Sequence, residues 1–201
     1  MNRTTTPGDN GERRYDAIAI ALHWAIAALI LIQIGLGWYF NEVLPDHSKA
    51  QDQMQDLHVS IGLTTLILVL VRIGVRLTHP APPLPQDMPA WERLLARAVQ
   101  WLFYILMLVI PLTGWALVSV RHEDIPFWGL DWPAMPGLTG FARPEARAIG
   151  RQLKHIHIYI LIWIVLINLA LHVAGALKHQ FDGRPVLWRM LPFARLKPRT
   201  P

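Results

Sequence analysis

Four of the chain's nine histidines lie inside or at the mouths of strongly apolar segments. They are His23, His58, His157 and His172. Ligating or ionisable side chains are costly inside a bilayer and mark function when they occur there. Imidazole is also a common axial ligand of haem iron. Two bis-histidine haem sites, one near each face of a membrane, would use all four. Taken singly, each histidine reads equally well as a hydrogen-bonded residue of a helix bundle. A bare metal-ion site is a poorer reading, because two histidines without carboxylate or thiolate companions do not complete a zinc shell.

The elements that would position them are four apolar runs, at residues 18–40, 58–77, 98–120 and 156–177. Each is near the ~20 residues needed to cross a hydrocarbon core. The chain has 201 residues, 53% of them hydrophobic, which excludes an ordinary soluble domain. It has no cysteine, which excludes disulfides, thiolate-held clusters and covalently attached haem. A bound haem would be b-type. The first apolar run lacks a small-residue cleavage pattern and reads as a retained helix, not a signal peptide. The expected fold is all-α: one domain over residues 1–201, a four-helix transmembrane bundle.

Charge sets the expected orientation. Arg3, Arg13 and Arg14 precede the first run, and Arg72, Arg76, Arg93 and Arg97 flank the second connection. Lys178, Arg184, Arg189, Arg195, Lys197 and Arg199 follow the last run. The first opposite loop has only Lys49 against Glu42, Asp46, Asp52 and Asp56. The positive-inside rule then puts both termini in the cytoplasm. These flanks account for the net charge of +5, and no basic–aromatic platform suggests nucleic-acid binding. Pro80, Pro82, Pro83 and Pro85 stiffen the second connection. The loop from Arg121 to His155 carries Phe127, Trp128 and Trp132, aromatics suited to an interfacial cap.

Topology pairs the histidines by depth. His23 lies on the inner side of the first helix, and His172 near the inner end of the fourth. His58 and His157 both lie at the outer side. His157 and His172 are 15 residues apart, a net rotation of about 60° and a rise of ~22 Å. His155, about 100° off that line, is the alternative to His157. Gly62, one turn past His58, is the candidate for porphyrin clearance, against ordinary small-residue helix contact. Pro111 is expected to kink the third helix. Arg72 and Arg76 suit haem propionates, against plain positive-inside anchoring. Arg121, Arg143, Arg147, Arg151, Lys154 and His122 could draw an anion toward the outer site, against a mixed, solvated loop diluted by Glu123, Asp124, Asp131 and Glu145. Lys154 is also a candidate for a quinone carbonyl or a propionate. His47, His79, His122 and His179 read as loop or interfacial residues.

Ordered motifs along the chain resemble the bacterial cytochrome b561 family. They are Tyr15-Asp16 followed by Leu22-His23-Trp24; His58-Val59-Ser60-Ile61-Gly62; Val71-Arg72 to Arg76-Leu77 with its proline-rich turn; and Pro111-Leu112-Thr113-Gly114-Trp115. Phe127 to Pro133, Lys154 to His157, Leu171 to His179 and Leu187 to Pro192 complete the set. The resemblance implies a di-haem b-type cytochrome of the bacterial inner membrane that exchanges electrons with the quinone pool. It implies two haem b groups with His23, His58, His157 and His172 as axial ligands, and ubiquinone or a related quinone as electron partner. Some members oxidise superoxide and reduce quinone. The rival function is a membrane-anchor subunit relaying electrons from a partner dehydrogenase or hydrogenase. Many relatives carry a histidine where this chain has Gln100. The interval from His157 to His172 is one residue longer than the family's usual spacing, which keeps His155 in view.

Overall fold

The computed structural model describes residues 14–84, 87–184 and 186–192. Arg3, Arg13, Pro85, Arg195, Lys197 and Arg199 lie outside the described residues. Among the described residues one short hairpin is the only sheet, and four helices are long and apolar enough to cross a membrane. Helix α1 spans Ala17–Trp38 and continues through a π turn, Tyr39–Val43. Helix α2 spans Lys49–Thr78 and α3 spans Ala90–Val120. Helix α4, Arg143–His155, runs through a second π turn, Ile156–Leu161, into α5, Ile162–Phe181.

Three helices start well before their apolar runs, for local reasons. Ser48 accepts a hydrogen bond from the Gln51 amide at 3.1 Å, and the Gln51 side chain accepts from the His47 amide at 2.8 Å. This N-terminal cap starts α2 at Lys49, so His58 lies almost ten residues inside the helix. Pro89 precedes α3, and Pro144 sits in the first turn of α4. These polar leading turns carry no hydropathy signal. Asp16 caps α1 by accepting from the Ile18 amide at 2.8 Å.

The loop between α3 and α4 is tied down. Strands β1, Pro126–Phe127, and β2, Leu130–Asp131, form an antiparallel hairpin. Its turn residues, Trp128 and Gly129, have φ of 54° and 86°, both in the left-handed region that a two-residue hairpin of right-handed twist requires. The Trp128 conformation is held by its own contacts: its amide and its indole donate to Ser60 Oγ at 3.3 Å and Thr64 Oγ1 at 2.9 Å. Leu63, Val118 and Ile125 form the core beneath, with Trp115, Phe127 and Trp132 packed on it.

Helix α1 packs on α2, α2 on α3, and α3 on α4 and α5. Helix α3 therefore bridges the two halves of the bundle. Ile34 of α1 reaches the cluster of Leu106, Leu161 and Val165. At the opposite end, Glu92 is 8% exposed and accepts from Lys178 Nζ at 2.9 Å, with Arg184 at 3.5 Å and the buried His179 ring at 3.8 Å. The 187–192 segment folds back across this end. Trp24 Nε1 donates to Met190 O at 2.7 Å, Arg189 donates to Pro83 O at 2.8 Å, and Arg14 donates to Leu191 O. Both ends of the described chain thus lie together.

Candidate functional site

The four histidines meet as two pairs. His23 of α1 and His172 of α5 have ring centroids 6.2 Å apart, with ring planes at 61°. His58 of α2 and His157 of the π turn have centroids 6.3 Å apart, with planes at 82°. The pairs lie toward opposite ends of the bundle and join helices that α3 otherwise bridges. His155 is turned outward, its exposed ring 5.4 Å from Tyr159.

At the His58–His157 pair, helix α3 supplies two neighbours from the Pro111–Trp115 motif, to which the sequence assigned no contact with a histidine. Thr113 Oγ1 donates to Ile110 O at 2.7 Å, so its proton is committed. It lies 3.0 Å from His157 Nδ1, and so accepts from that nitrogen. The bond fixes the ring as the Nδ1–H tautomer and leaves Nε2 as the free lone pair, the usual device for a metal-ligating imidazole. A side chain on Gly114 would put its Cβ 3.1 Å from His157 Cε1, and one on Gly37 would stand 3.4 Å from His58 Cε1. These two glycines make room for the imidazoles. Gly62 makes room instead for Gln33, whose Nε2 would stand 2.9 Å from an added Cβ and donates to His58 O at 2.9 Å. The Phe40 ring meets His58 edge-on at 5.3 Å. Thr113 and Gln33, polar residues within apolar runs, were the available sequence signal; the two glycines had none that separates them from ordinary helix contacts.

At the His23–His172 pair, Phe103 packs edge-on against His172 at 5.3 Å, and Trp24 against His23 at 5.4 Å. Arg72 Nη1 donates to Ala19 O at 3.1 Å, which sets its charge one turn from His23. Arg72 and Arg76 line a narrow cleft with Tyr15, His79, Gln100 and Tyr104. Burial raises the Tyr15 phenol above its ordinary value, so it stays protonated at neutral pH. Gln100 therefore faces this cleft beside two phenols and two guanidinium groups. At the chain's far corner, the Arg184 hydrogen bond holds the Asp87 carboxyl below the usual carboxylate value.

The family model for prokaryotic cytochrome b561 matches residues 14–193. The chain belongs to that family. The cytochrome b561 homolog 2 of Escherichia coli K12 is 30% identical over 193 residues, 95% of each chain. A cytochrome b562 of Cereibacter sphaeroides is 34% identical over 198 residues, covering 94% of this chain and 98% of the relative. A Yersinia pestis protein named probable superoxide oxidase CybB is 27% identical over 186 residues, covering 91% and 98%. The chain is thus a multi-pass bacterial membrane cytochrome whose family binds haem b and transfers electrons.

The donor pairs fit that group. A metal–imidazole bond is about 2 Å long and the ring centroid lies about 1 Å behind the nitrogen, so two imidazoles trans on one iron have centroids roughly 6 to 6.5 Å apart. The two pairs stand at 6.2 and 6.3 Å. Among the described residues, no group of three or more His, Asp or Glu converges as a bare metal ion would need.

Proposed function

We propose that this cytochrome holds two haem b groups as one membrane unit, one between His23 and His172 and one between His58 and His157. It carries electrons from a one-electron donor at the outer face to the quinone pool. The observation that carries the proposal is the repeated centroid spacing of 6.2 and 6.3 Å at opposite ends of one bundle. Haem b supplies reversible one-electron iron chemistry when bound. The residues supply the rest. Thr113 fixes the His157 tautomer, Gly37 and Gly114 admit the outer imidazoles, and Phe40 and Phe103 brace the rings. Arg72 and Arg76 neutralise propionates at the inner end. With both imidazoles of a pair engaged, a bound haem would exchange electrons by outer-sphere transfer and would not bind oxygen.

Orientation follows from charge. Arg72, Arg76, Arg93, Arg97, Lys178 and Arg184 cluster at the end where the described chain ends meet, and that end is cytoplasmic, in the inner membrane. The His58–His157 pair then faces the periplasm beneath the Phe127–Trp132 hairpin. Superoxide is the donor that the name of the Yersinia relative suggests. The balanced reaction oxidises two superoxide ions to two molecules of oxygen and reduces one quinone, with two protons, to quinol.

A reduced-minus-oxidised spectrum with haem quantitation tests the sites, for the wild type and for His23→Ala and His58→Ala. Two b haems, with one lost in each variant, is the expected result. A colourless protein, or one haem indifferent to both changes, would refute it. Superoxide-driven quinone reduction by the purified chain then tests the function. If haem is present but quinone is reduced only with a partner dehydrogenase or hydrogenase added, the chain is a membrane anchor.

A further inference from the structure

Helix α4 and its continuation carry a stripe that the redox reading does not use. Arg143, Arg147, Arg151 and His155 recur every fourth residue, all exposed. The same spacing continues with Tyr159, Trp163 and Ile167, which are 53%, 63% and 60% exposed. The opposite side of α4 is the packed one: Ala146 and Gly150 are buried, and Gly150 lies against Arg121 of α3. The stripe therefore runs from water into lipid along exposed positions of one helix, cationic above and aromatic and aliphatic below.

The height of each group follows from the helix rise. The apolar run begins at Ile156, which marks the hydrocarbon boundary. Arg151 and Gln152 stand about 6 to 8 Å above it at about 1.5 Å per residue. The headgroup layer is roughly 5 to 8 Å deep on each side of a bilayer. Arg151 and Gln152 thus lie at phosphate level, and Arg147, about 13 Å above the boundary, lies beyond the headgroup layer. An open concavity of about 320 Å³ occurs there, lined by Arg151, Gln152, His155 and Ile156. Its lining combines the polar Arg151, Gln152 and His155 with the aliphatic Ile156. None of Arg143, Arg147 and Arg151 makes an ion pair or hydrogen bond with another described residue. Glu145 is the one carboxylate on the same helix, and Glu123 of the neighbouring loop is 3.6 Å from Arg121.

We propose that this concavity binds the phosphate of an anionic phospholipid, with Arg151, Gln152 and His155 around the headgroup and an acyl chain along Ile156, Tyr159 and Trp163. Unpaired guanidinium groups at phosphate depth favour a phosphodiester, and the apolar continuation below them distinguishes a lipid from a free anion. The site does not depend on which leaflet this end of the bundle faces, nor on the haem assignment.

The test is lipid retention by the full-length holoprotein, measured by native mass spectrometry after exchange into detergent with phosphatidylglycerol or phosphatidylcholine added. The wild type is expected to keep phosphatidylglycerol in preference to phosphatidylcholine, and to lose that preference as salt rises. Arg151→Gln should weaken the preference roughly fivefold, the equivalent of about 1 kcal/mol per basic residue near an anionic surface. Lys49→Gln, an exposed cation at the same end of the bundle, should not. Gln152→Leu, which keeps every charge, should weaken it by a smaller factor and guards against a folding defect in the arginine variant. Equal retention of both lipids, or an equal loss in Lys49→Gln, would overturn the site. Thermal protection by inorganic phosphate equal to that by phosphatidylglycerol would overturn the lipid assignment.

Discussion

Replacing Thr113 with valine removes one atom's chemistry from the outer site and almost none of its volume. The hydroxyl donates to Ile110 O at 2.7 Å and so accepts from His157 Nδ1 at 3.0 Å. That second bond would make the imidazole a stronger electron donor through Nε2 and so favour the oxidised state of a haem held there. A single hydrogen bond contributes about 0.5 to 1.5 kcal/mol. For a one-electron couple, about 1.4 kcal/mol corresponds to about 59 mV. The Thr113→Val variant should therefore raise the potential of the haem at His58–His157 by roughly 20 to 65 mV. It should leave the haem at His23–His172 where it was. Redox titration of the b-haem absorbance resolves the two components, and Thr113→Ser should restore the wild-type value because it keeps the acceptor. A valine variant with both potentials unchanged, or with the two shifted equally, would refute the argument that Thr113 acts through His157.

Gly114→Ala should lower occupancy of the outer site several-fold, because its Cβ would stand 3.1 Å from His157 Cε1; Gly37→Ala, at 3.4 Å from His58 Cε1, should cost less. Haem-to-protein ratios of the two purified variants give the order, and the reverse order would refute it. Tyr15 predicts an alkaline limb of stability. Burial raises its phenol above the ordinary 10.0, so its contribution is complete below pH 10.0 and is lost as pH rises through the raised folded value. Thermal melts of the wild type and Tyr15→Phe should separate above pH 10, the wild type falling as its unfolded state ionises; parallel curves would show that the phenol does not titrate against folding.

Much of this fold was legible in the sequence because hydropathy and basic flanks act over whole segments. The four apolar runs became four helices, and motif order gave the family. The missed parts are those decided by single atoms. Ser48, Pro89 and Pro144 extend three helices into polar sequence, where propensity and capping work without an apolar face. The hairpin turn needs left-handed backbone at Trp128, a poor residue for it by propensity, and obtains it from Ser60 and Thr64 on another helix. Gly62 stands one turn past His58, yet Gln33 of α1 fills the space beside it. No spacing within one helix specifies what a neighbouring helix will present.

The π turn at Ile156–Leu161 shows why the 15-residue interval works. In an unbroken α-helix that interval rotates His157 about 60° from His172, and puts His155 about 100° to the other side. Neither residue would be clearly favoured to face inward. A π turn takes up one extra residue without advancing the helix. The effective intervals become 14 and 16 residues, which place His157 about 40° and His155 about 160° from His172. His157 then shares the inward face and His155 is turned away from it, as their contacts with His58 and Tyr159 reflect. Deleting Ile160 should therefore close the π turn into ordinary α-helix while keeping His157 on the same face. Because both pairs survive that change, haem content should stay at the wild-type ratio, and the deletion should not lower the melting temperature. Deleting Val165, beyond the turn, is the control: it also removes one residue between the two histidines, but takes it from close-packed helix where Val165 is 4% exposed, so it should destabilise the protein. Loss of the outer haem on deleting Ile160, with retention on deleting Val165, would show that the π turn does not set the register of His157.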